Sequence, residues 1–153
     1  RIIEVIPDNF NIYRDDLKKL LWENMMRHYN AGKVNDEYFE IKTSEIKDYL
    51  NEKKAVIFVY VLDNSVKGCI WAYPKLFLDE RRLFVQLLQV YPENRNYGIG
   101  GSLLQTIEKY AVEHGYNAVD MITSANNGGA LRFYQREGYE FERIQLCKVF
   151  DKE

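Results

Sequence analysis

A glycine-rich turn separates an apolar run from an amphipathic one. Leu83–Val90 (LFVQLLQV) is apolar and stops at Tyr91-Pro92. Arg95, Asn96, Tyr97, Gly98, Ile99, Gly100 and Gly101 follow, and then Leu103, Leu104, Ile107 and Ala111 recur at helical spacing. The pattern predicts strand, turn and helix. Glycines belong where the backbone comes close to something. A helix start has free N–H groups and the positive end of a dipole, so it attracts anions. Arg95 adds a positive charge just outside the turn. The spacing is Arg-x-x-Gly-x-Gly. It is not the GxGxxG dinucleotide fingerprint, and no Gly-Lys-Ser/Thr follows to make a Walker A loop.

A second segment reads Asn127-Gly128-Gly129-Ala130-Leu131-Arg132-Phe133-Tyr134, then Glu137-Gly138-Tyr139. Together the two segments resemble the signatures of the GNAT superfamily, the acyl-CoA-dependent N-acyltransferases. The first is similar to that family's pyrophosphate motif. The second is similar to its Asn-x-x-Ala-x-x-Phe-Tyr, followed by Gly-Phe or Gly-Tyr. They stand in the family's order. The resemblance covers roughly residues 55–150 and is looser before that. It implies an α/β fold with a mixed sheet, splayed central strands and acetyl-CoA as acyl donor. Residues 1–153 would form one such domain, with 1–52 on the acceptor side and 55–150 as the acyl-CoA-binding core.

The elements that position these residues are legible in order. Arg1–Ile6 predicts a short strand, ended by Pro7. Asn9 or Asn11 can cap a helix to about Tyr29, with Ile12, Leu17, Leu20, Leu21 and Met25 buried. Asn30-Ala31-Gly32 ends it. Residues 33–52 read as a mobile helical segment with six acids against three lysines. Those acids make either a solvated face or a mildly negative mouth for a cationic amine. Lys54–Leu62 and Val66–Tyr73 predict a hairpin about Asp63-Asn64-Ser65. Pro74 is expected to end it, leaving Lys75–Arg82 as a loop or short turn whose Arg81 and Arg82 are solvated or touch an anionic group of a ligand. The central strand Leu83–Val90 puts Phe84, Gln86 and Leu88 on one side and Val85, Leu87 and Gln89 on the other, unless a bulge shifts the phase. A helix over Gly98–Glu113, a strand at Ala118–Thr123, a helix over Gly128–Glu137 capped by Asn126 or Asn127, and a last strand at Tyr139–Phe150 complete the order β-α-α-β-β-β-α-β-α-β.

The resemblance also implies roles. A bulged central strand splays from its parallel neighbour, and the pantetheine arm bonds the backbones of Leu88 and Val90 as an added strand would. Asn96 to Gly101 offer N–H donors to the pyrophosphate, with Arg95 supplying charge. Asn127 contacts the pantetheine or a nearby backbone, or simply caps its helix. Tyr134 serves the departing thiolate as acid and sits in the cofactor site; as Phe133-Tyr134 it could instead be core. Attack of a neutral amine would pass through a tetrahedral intermediate, its oxyanion met by a main-chain N–H near Leu88. The family's usual central-strand glutamate is missing, because Gln86 cannot be a base near neutral pH. A water chain, a carboxylate from residues 23–45, His28 or an amine arriving neutral remain as routes for the proton, and Gln86 can orient the acceptor.

Bulk properties exclude several classes. The chain has 153 residues, 46% hydrophobic and 29% charged, with net charge −2. That is a globular composition without a pull toward nucleic acid or anionic membrane. No apolar run has transmembrane length and no signal peptide is visible, so a cytoplasmic location is expected. Only two cysteines and two histidines occur, without zinc spacing. Cys69 and Cys147 read as buried reduced thiols. A homodimer is allowed. The expected activity is acetyl transfer from acetyl-CoA to a primary amine of a small molecule such as an amino sugar, polyamine or amino acid. A protein N-terminus or lysine, a longer acyl chain, and an acyl-CoA-binding module without turnover are the alternatives.

Overall fold

The computed structural model describes residues 1–28 and 35–151. The chain divides into two compact units, Arg1–Ile122 and Thr123–Glu153.

The first unit opens with β1 (Ile2–Val5) and α1 (Phe10–His28). Asn9 stands at the helix start but bonds backward. Its Oδ1 accepts from the Ile6 N–H at 2.8 Å, and its Nδ2 donates to the Glu4 carbonyl at 3.0 Å. Phe10, Leu17 and Leu20 form the buried stripe. Ile12, expected in it, is 72% exposed. At 100° per residue, position 12 falls on the far side of the helix from 10, 17 and 20. The expected stop at Asn30-Ala31-Gly32 lies outside the described residues.

α2 (Asp36–Asn51) starts at Asn35, whose Oδ1 accepts from the Tyr38 N–H at 3.1 Å. Phe39, Thr43, Ile46 and Leu50 are its buried stripe. α2 joins α1 through charge: Glu40 accepts from Arg14 at 2.6 Å and from Lys18 at 2.7 Å, and Lys18 also meets Asp36 at 2.9 Å. The two cations hold the Glu40 carboxyl at about 2, below its ordinary 4.5. The folded chain therefore binds fewer protons there than the unfolded chain, and stability rises with pH across this window. Acid unfolding should lose this contribution as pH falls from about 4.5 toward 2. Glu40→Gln should flatten that part of a stability–pH curve; an unchanged slope would contradict the coupling.

β2 (Val56–Leu62), β3 (Ser65–Phe77), β4 (Glu80–Val90), α3 (Ile99–Glu113) and β5 (Ala118–Met121) complete the unit. The sheet order is β1-β2-β3-β4-β5, antiparallel except for the parallel pair β4·β5. Pro74 does not end β3; it pairs with Leu83. β2 accompanies β3 only as far as Ala72, so Pro74 stands where β3 has become an edge and a missing N–H is tolerated. The expected loop Lys75–Arg82 is instead the end of a β3–β4 hairpin. Arg82 is not in solvent: its side chain is buried between Glu80 at 2.8 Å and Asp120 at 3.4 Å. Gly68 is fixed by close approach, since a Cβ there would sit 2.8 Å from the Gln89 carbonyl oxygen. Gly68→Ala should cost about 1–3 kcal/mol of stability, read as a lower denaturation midpoint.

A bulge sits in the middle of β4. Trp71 pairs with Leu87 but Ala72 pairs with Val85, so Gln86 is the extra residue. Trp71 and Ala72 are consecutive and face opposite sides, and cross-strand partners share a side. Leu87 and Val85 are therefore on opposite faces, the phase shift that a bulge in this strand was expected to bring. Leu87 joins the core under α1 and α2 with Phe10, Leu20, Ile46, Ile57 and Trp71. On the other face, Phe58 meets Tyr110 of α3 edge to face at 6.0 Å.

The second unit contains α4 (Gly128–Arg136), capped by Asn127, whose Oδ1 accepts from the Ala130 N–H at 3.1 Å. The fold class and element order are as expected through α4. The expected strand at Tyr139–Phe150 is not present as a strand: residues 139–151 carry no helix or strand. Taken by itself, this unit has no second strand to supply a ladder. Cys147, expected buried, is exposed in this stretch, whereas Cys69 is buried in β3. Among the described residues no helix is long and apolar enough to cross a membrane.

Candidate active site

The turn after β4 is shaped by two left-handed residues, Asn96 at φ +68° and Gly98 at φ +79°. Gly98 is the N-cap of α3 and no side chain caps the helix. The Ser102 N–H bonds back to the Gly98 carbonyl at 3.0 Å. The N–H groups of Ile99, Gly100 and Gly101 precede that bond and lack helical acceptors. A Cβ built on Gly98 would meet nothing within 4 Å, so the space in front of the turn is open. Arg95 is anchored beside it, its Nε donating to the Val90 carbonyl at 3.3 Å. Burial, then the neighbouring charge of Arg27, pulls the Arg95 guanidinium below its ordinary pKa. An anion arriving there would relieve that cost. Tyr97 is 79% exposed. Open donors, an open glycine face and an underpaired guanidinium are the donor set a pyrophosphate needs.

The edge of β4 leads to this cradle. The Tyr91 N–H bonds β3 at the Lys67 carbonyl, 2.9 Å away. Backbone groups alternate along a strand, so those of Leu88 and Val90 point to the opposite edge. The parallel ladder with β5 ends at Val85 and Met121. Past the bulge, Leu88 and Val90 thus address an edge that β5 does not cover, and Arg95 holds the Val90 carbonyl.

The face of the sheet under α1 and α2 contains a cavity of about 320 Å³. Leu21, Met25, Trp71 and Tyr73 form its apolar wall, and Gln86 reaches it from the bulge. α2 contributes Tyr38, Lys42, Glu45 and Tyr49, with Lys54 just beyond. Glu45 is the sole carboxylate among these lining residues. It accepts from the Tyr49 hydroxyl at 3.3 Å and lies 4.0 Å from Lys42. The Trp71 indole N–H is buried and has no hydrogen-bond partner among the described residues. Of the two readings left open for the acids of residues 33–52, a solvated face or a mildly negative mouth, the second is not what lines the cavity. Asp36 and Glu40 are held by Lys18 and Arg14, and Glu52 by Lys54 at 2.9 Å. The side chain of His28 lies outside the described residues.

Sequence reasoning missed Lys42, Trp71 and Tyr73 as site residues; Glu45 lies within the range of carboxylates it left open as the base. For α2 the signal was available: 38, 42, 45 and 49 form a helical stripe one residue behind the core stripe 39, 43, 46 and 50.

In the second unit Tyr134 is half-buried. Its ring packs edge to face on Tyr139 at 5.9 Å and tilts against Phe133 at 5.2 Å. Burial pushes its hydroxyl up to about 12. Asn127 spends its Oδ1 on the cap of α4. Cys69 is also pushed up to about 12 by burial, then by Asp16, so it is no nucleophile.

Comparison with known proteins agrees with this geometry. "Probable N-acetyltransferase camello" of Xenopus tropicalis is 30% identical over 100 residues, 65% of this chain and 45% of its own length. Human "N-acetyltransferase 8" is 31% identical over 96 residues, 61% of this chain and 42% of its length. The chain thus matches less than half the length of these relatives. Among solved structures, an aminoglycoside acetyltransferase from a soil metagenomic sample superposes with a TM-score of 0.74 at 18% identity, covering 99% of this chain and 96% of that one. A transcriptional regulator from Bacillus halodurans also superposes with a TM-score of 0.74 at 18% identity, covering 98% and 99%. Such likeness carries the fold and no more. The profile of the Acetyltransferase (GNAT) family matches residues 15–139. On that match, spanning most of both units, the chain belongs to the GNAT acetyltransferase family.

Proposed function

We propose that this chain is an N-acetyltransferase that moves an acetyl group from acetyl-CoA to a primary amine of a small molecule. The observation that carries this reading is the bulge at Gln86. On one side of it the β4 edge runs uncovered from Leu88 to the glycine cradle; on the other, Gln86 enters the α1–α2 cavity. One irregularity in one strand thus opens toward both a donor edge and an acceptor cavity.

Acetyl-CoA supplies an activated acetyl thioester. Ile99, Gly100 and Gly101 would hold its pyrophosphate through their N–H groups, with Asn96, Tyr97 and Gly98 shaping the turn. Arg95 adds charge and keeps the Val90 carbonyl in place. The backbone of Leu88, with the Val90 N–H, would bond the amide arm as a neighbouring strand does. The Leu88 N–H is also the donor nearest the bulge for a carbonyl oxygen gaining charge. Asn127 serves chiefly as the cap that starts α4. Tyr134 keeps its proton throughout the neutral range, because burial holds it near 12. It would act by donating a hydrogen bond from Oη to the departing sulfur. Full proton transfer to an alkyl thiolate of ordinary pKa runs uphill from such a phenol. The cavity volume, about 320 Å³, sits at the low end for ligand pockets and favours a small acceptor.

Thermal unfolding with acetyl-CoA, free CoA and NADH tests the donor assignment. A ligand at one hundred times its Kd stabilises by about 2.7 kcal/mol. Acetyl-CoA and CoA should raise Tm and NADH should not. No shift with either CoA ligand would contradict the donor site.

A further inference from the structure

We infer that the α1–α2 cavity is built for a zwitterionic amine with an apolar, aromatic-compatible body, the class of an aromatic α-amino acid, and that Glu45 and Lys42 receive its two charges. This rests on the transferase reading for the acceptor role of the cavity.

Charge selects the class first. The charged lining residues are Lys42, Lys54 and Glu45, and Lys54 is already paired with Glu52 at 2.9 Å, so Lys42 and the single lining carboxylate of Glu45 are the charges that face a ligand. The acids that could have drawn in a polycation are engaged elsewhere, Glu40 and Asp36 by α1 and Glu52 by Lys54. A polyamine or amino sugar with several ammonium groups would bring more positive charge to a cavity with one carboxylate. Lys42 and Glu45 are themselves a matched pair. They lie 4.0 Å apart, one helical turn from each other, with side chains 45% and 39% exposed. At that distance and exposure the pair contributes little to folding. It can open toward a ligand at small cost. An α-amino acid carries its ammonium and carboxylate equally close together, so it can meet both members at once, ammonium to Glu45 and carboxylate to Lys42.

The remaining wall fixes the body of the ligand. Trp71, Tyr73 and Tyr38 offer rings, and Leu21 and Met25 offer aliphatic surface. Lys42 already lies 5.7 Å from the Tyr38 ring centroid, so the cation is held at the aromatic wall. The Trp71 indole N–H has no partner among the described residues. It is a second donor for a ligand oxygen, and a buried donor left unpaired is costly. In the reaction, the ammonium loses one proton, with Glu45 as the acceptor directly or through water. The amine nitrogen then bonds the acetyl carbon, the carbon–sulfur bond breaks with its electron pair leaving on sulfur, and the second proton on nitrogen passes to that sulfur, giving the neutral amide and free thiol.

The test compares L-phenylalanine, phenethylamine and spermidine as acceptors, by thiol release and by calorimetric binding to the CoA-loaded chain. Phenethylamine differs from phenylalanine only in lacking the carboxylate. The expected kcat/KM for phenylalanine exceeds that for phenethylamine by about 30-fold, the effect of one charge-assisted contact. Lys42→Gln should raise KM for phenylalanine about 10-fold and leave phenethylamine within about twofold. Acetyl-CoA affinity and Tm of the variant serve as folding controls. A preference for phenethylamine or spermidine overturns the inference, as does a Lys42→Gln effect equal on both aromatic amines. Phenylalanine binding that depends on Lys42, without thiol release from any amine, would uphold the cavity assignment and overturn the transferase reading instead. Absence of both binding and turnover of phenylalanine overturns the inference.

Discussion

Tyr134→Phe should lower kcat about 100- to 1,000-fold while acetyl-CoA affinity changes by less than about threefold. The change removes one oxygen and keeps the ring that packs on Tyr139 and Phe133, so α4 should fold as before. What is lost is a proton held on Oη at all working pH values. Because burial keeps that hydroxyl near 12, the wild-type rate should show no alkaline limb from Tyr134 at pH 9, where an ordinary phenol already begins to ionise. The effect should fall on kcat, because a donor to the departing sulfur gains strength only as negative charge develops there. A variant with full turnover would remove Tyr134 from the chemistry and return it to the core reading. An equal loss in affinity and turnover would make it a binding residue.

Gly100→Trp should weaken acetyl-CoA by at least about 100-fold without unfolding the chain. Position 100 lies in the first turn of α3, where the N–H groups of Ile99, Gly100 and Gly101 have no helical acceptor. An indole there occupies the approach to those donors and removes several charge-assisted bonds together. The helix itself should tolerate the change, since tryptophan has a better helix propensity than glycine. Tm without ligand should therefore hold, and calorimetry should register the lost affinity. An unchanged Kd would mean that the turn is not where the pyrophosphate binds.

The sequence made the chain order legible because its signals were local. The glycine turn, the period of Leu103, Leu104, Ile107 and Ala111, and the cap at Asn127 each act within a few residues, and each is in place. What the sequence hid depends on partners far away in the chain. Pro74 reads as a stop until β2 is seen to end at its level, leaving an edge. Arg82 reads as solvated until Asp120 of β5 is beside it. The bulge at Gln86 depends on register with β3 and has no signature of its own, yet it moves Leu87 to the opposite face from Val85. Tyr139–Phe150 has a composition that suits a strand, yet residues 139–151 carry neither helix nor strand, and their unit taken by itself contains no strand to pair with. The gap at Gln86 was visible, and Glu45 was one of several carboxylates left open as the base; that it is the carboxylate among the cavity's lining residues depends on how α2 packs on the sheet.

The central claim is the transfer of an acetyl group to an amine. It is tested most directly by incubating the full chain with acetyl-CoA and single amines, measuring free thiol and the mass of the acceptor together. Thiol release should require the amine, equal the amount of acceptor gaining an acetyl group, and collapse in Tyr134→Phe. Thiol release that is independent of every amine, or acetyl-CoA binding with no acetylated product, would contradict it.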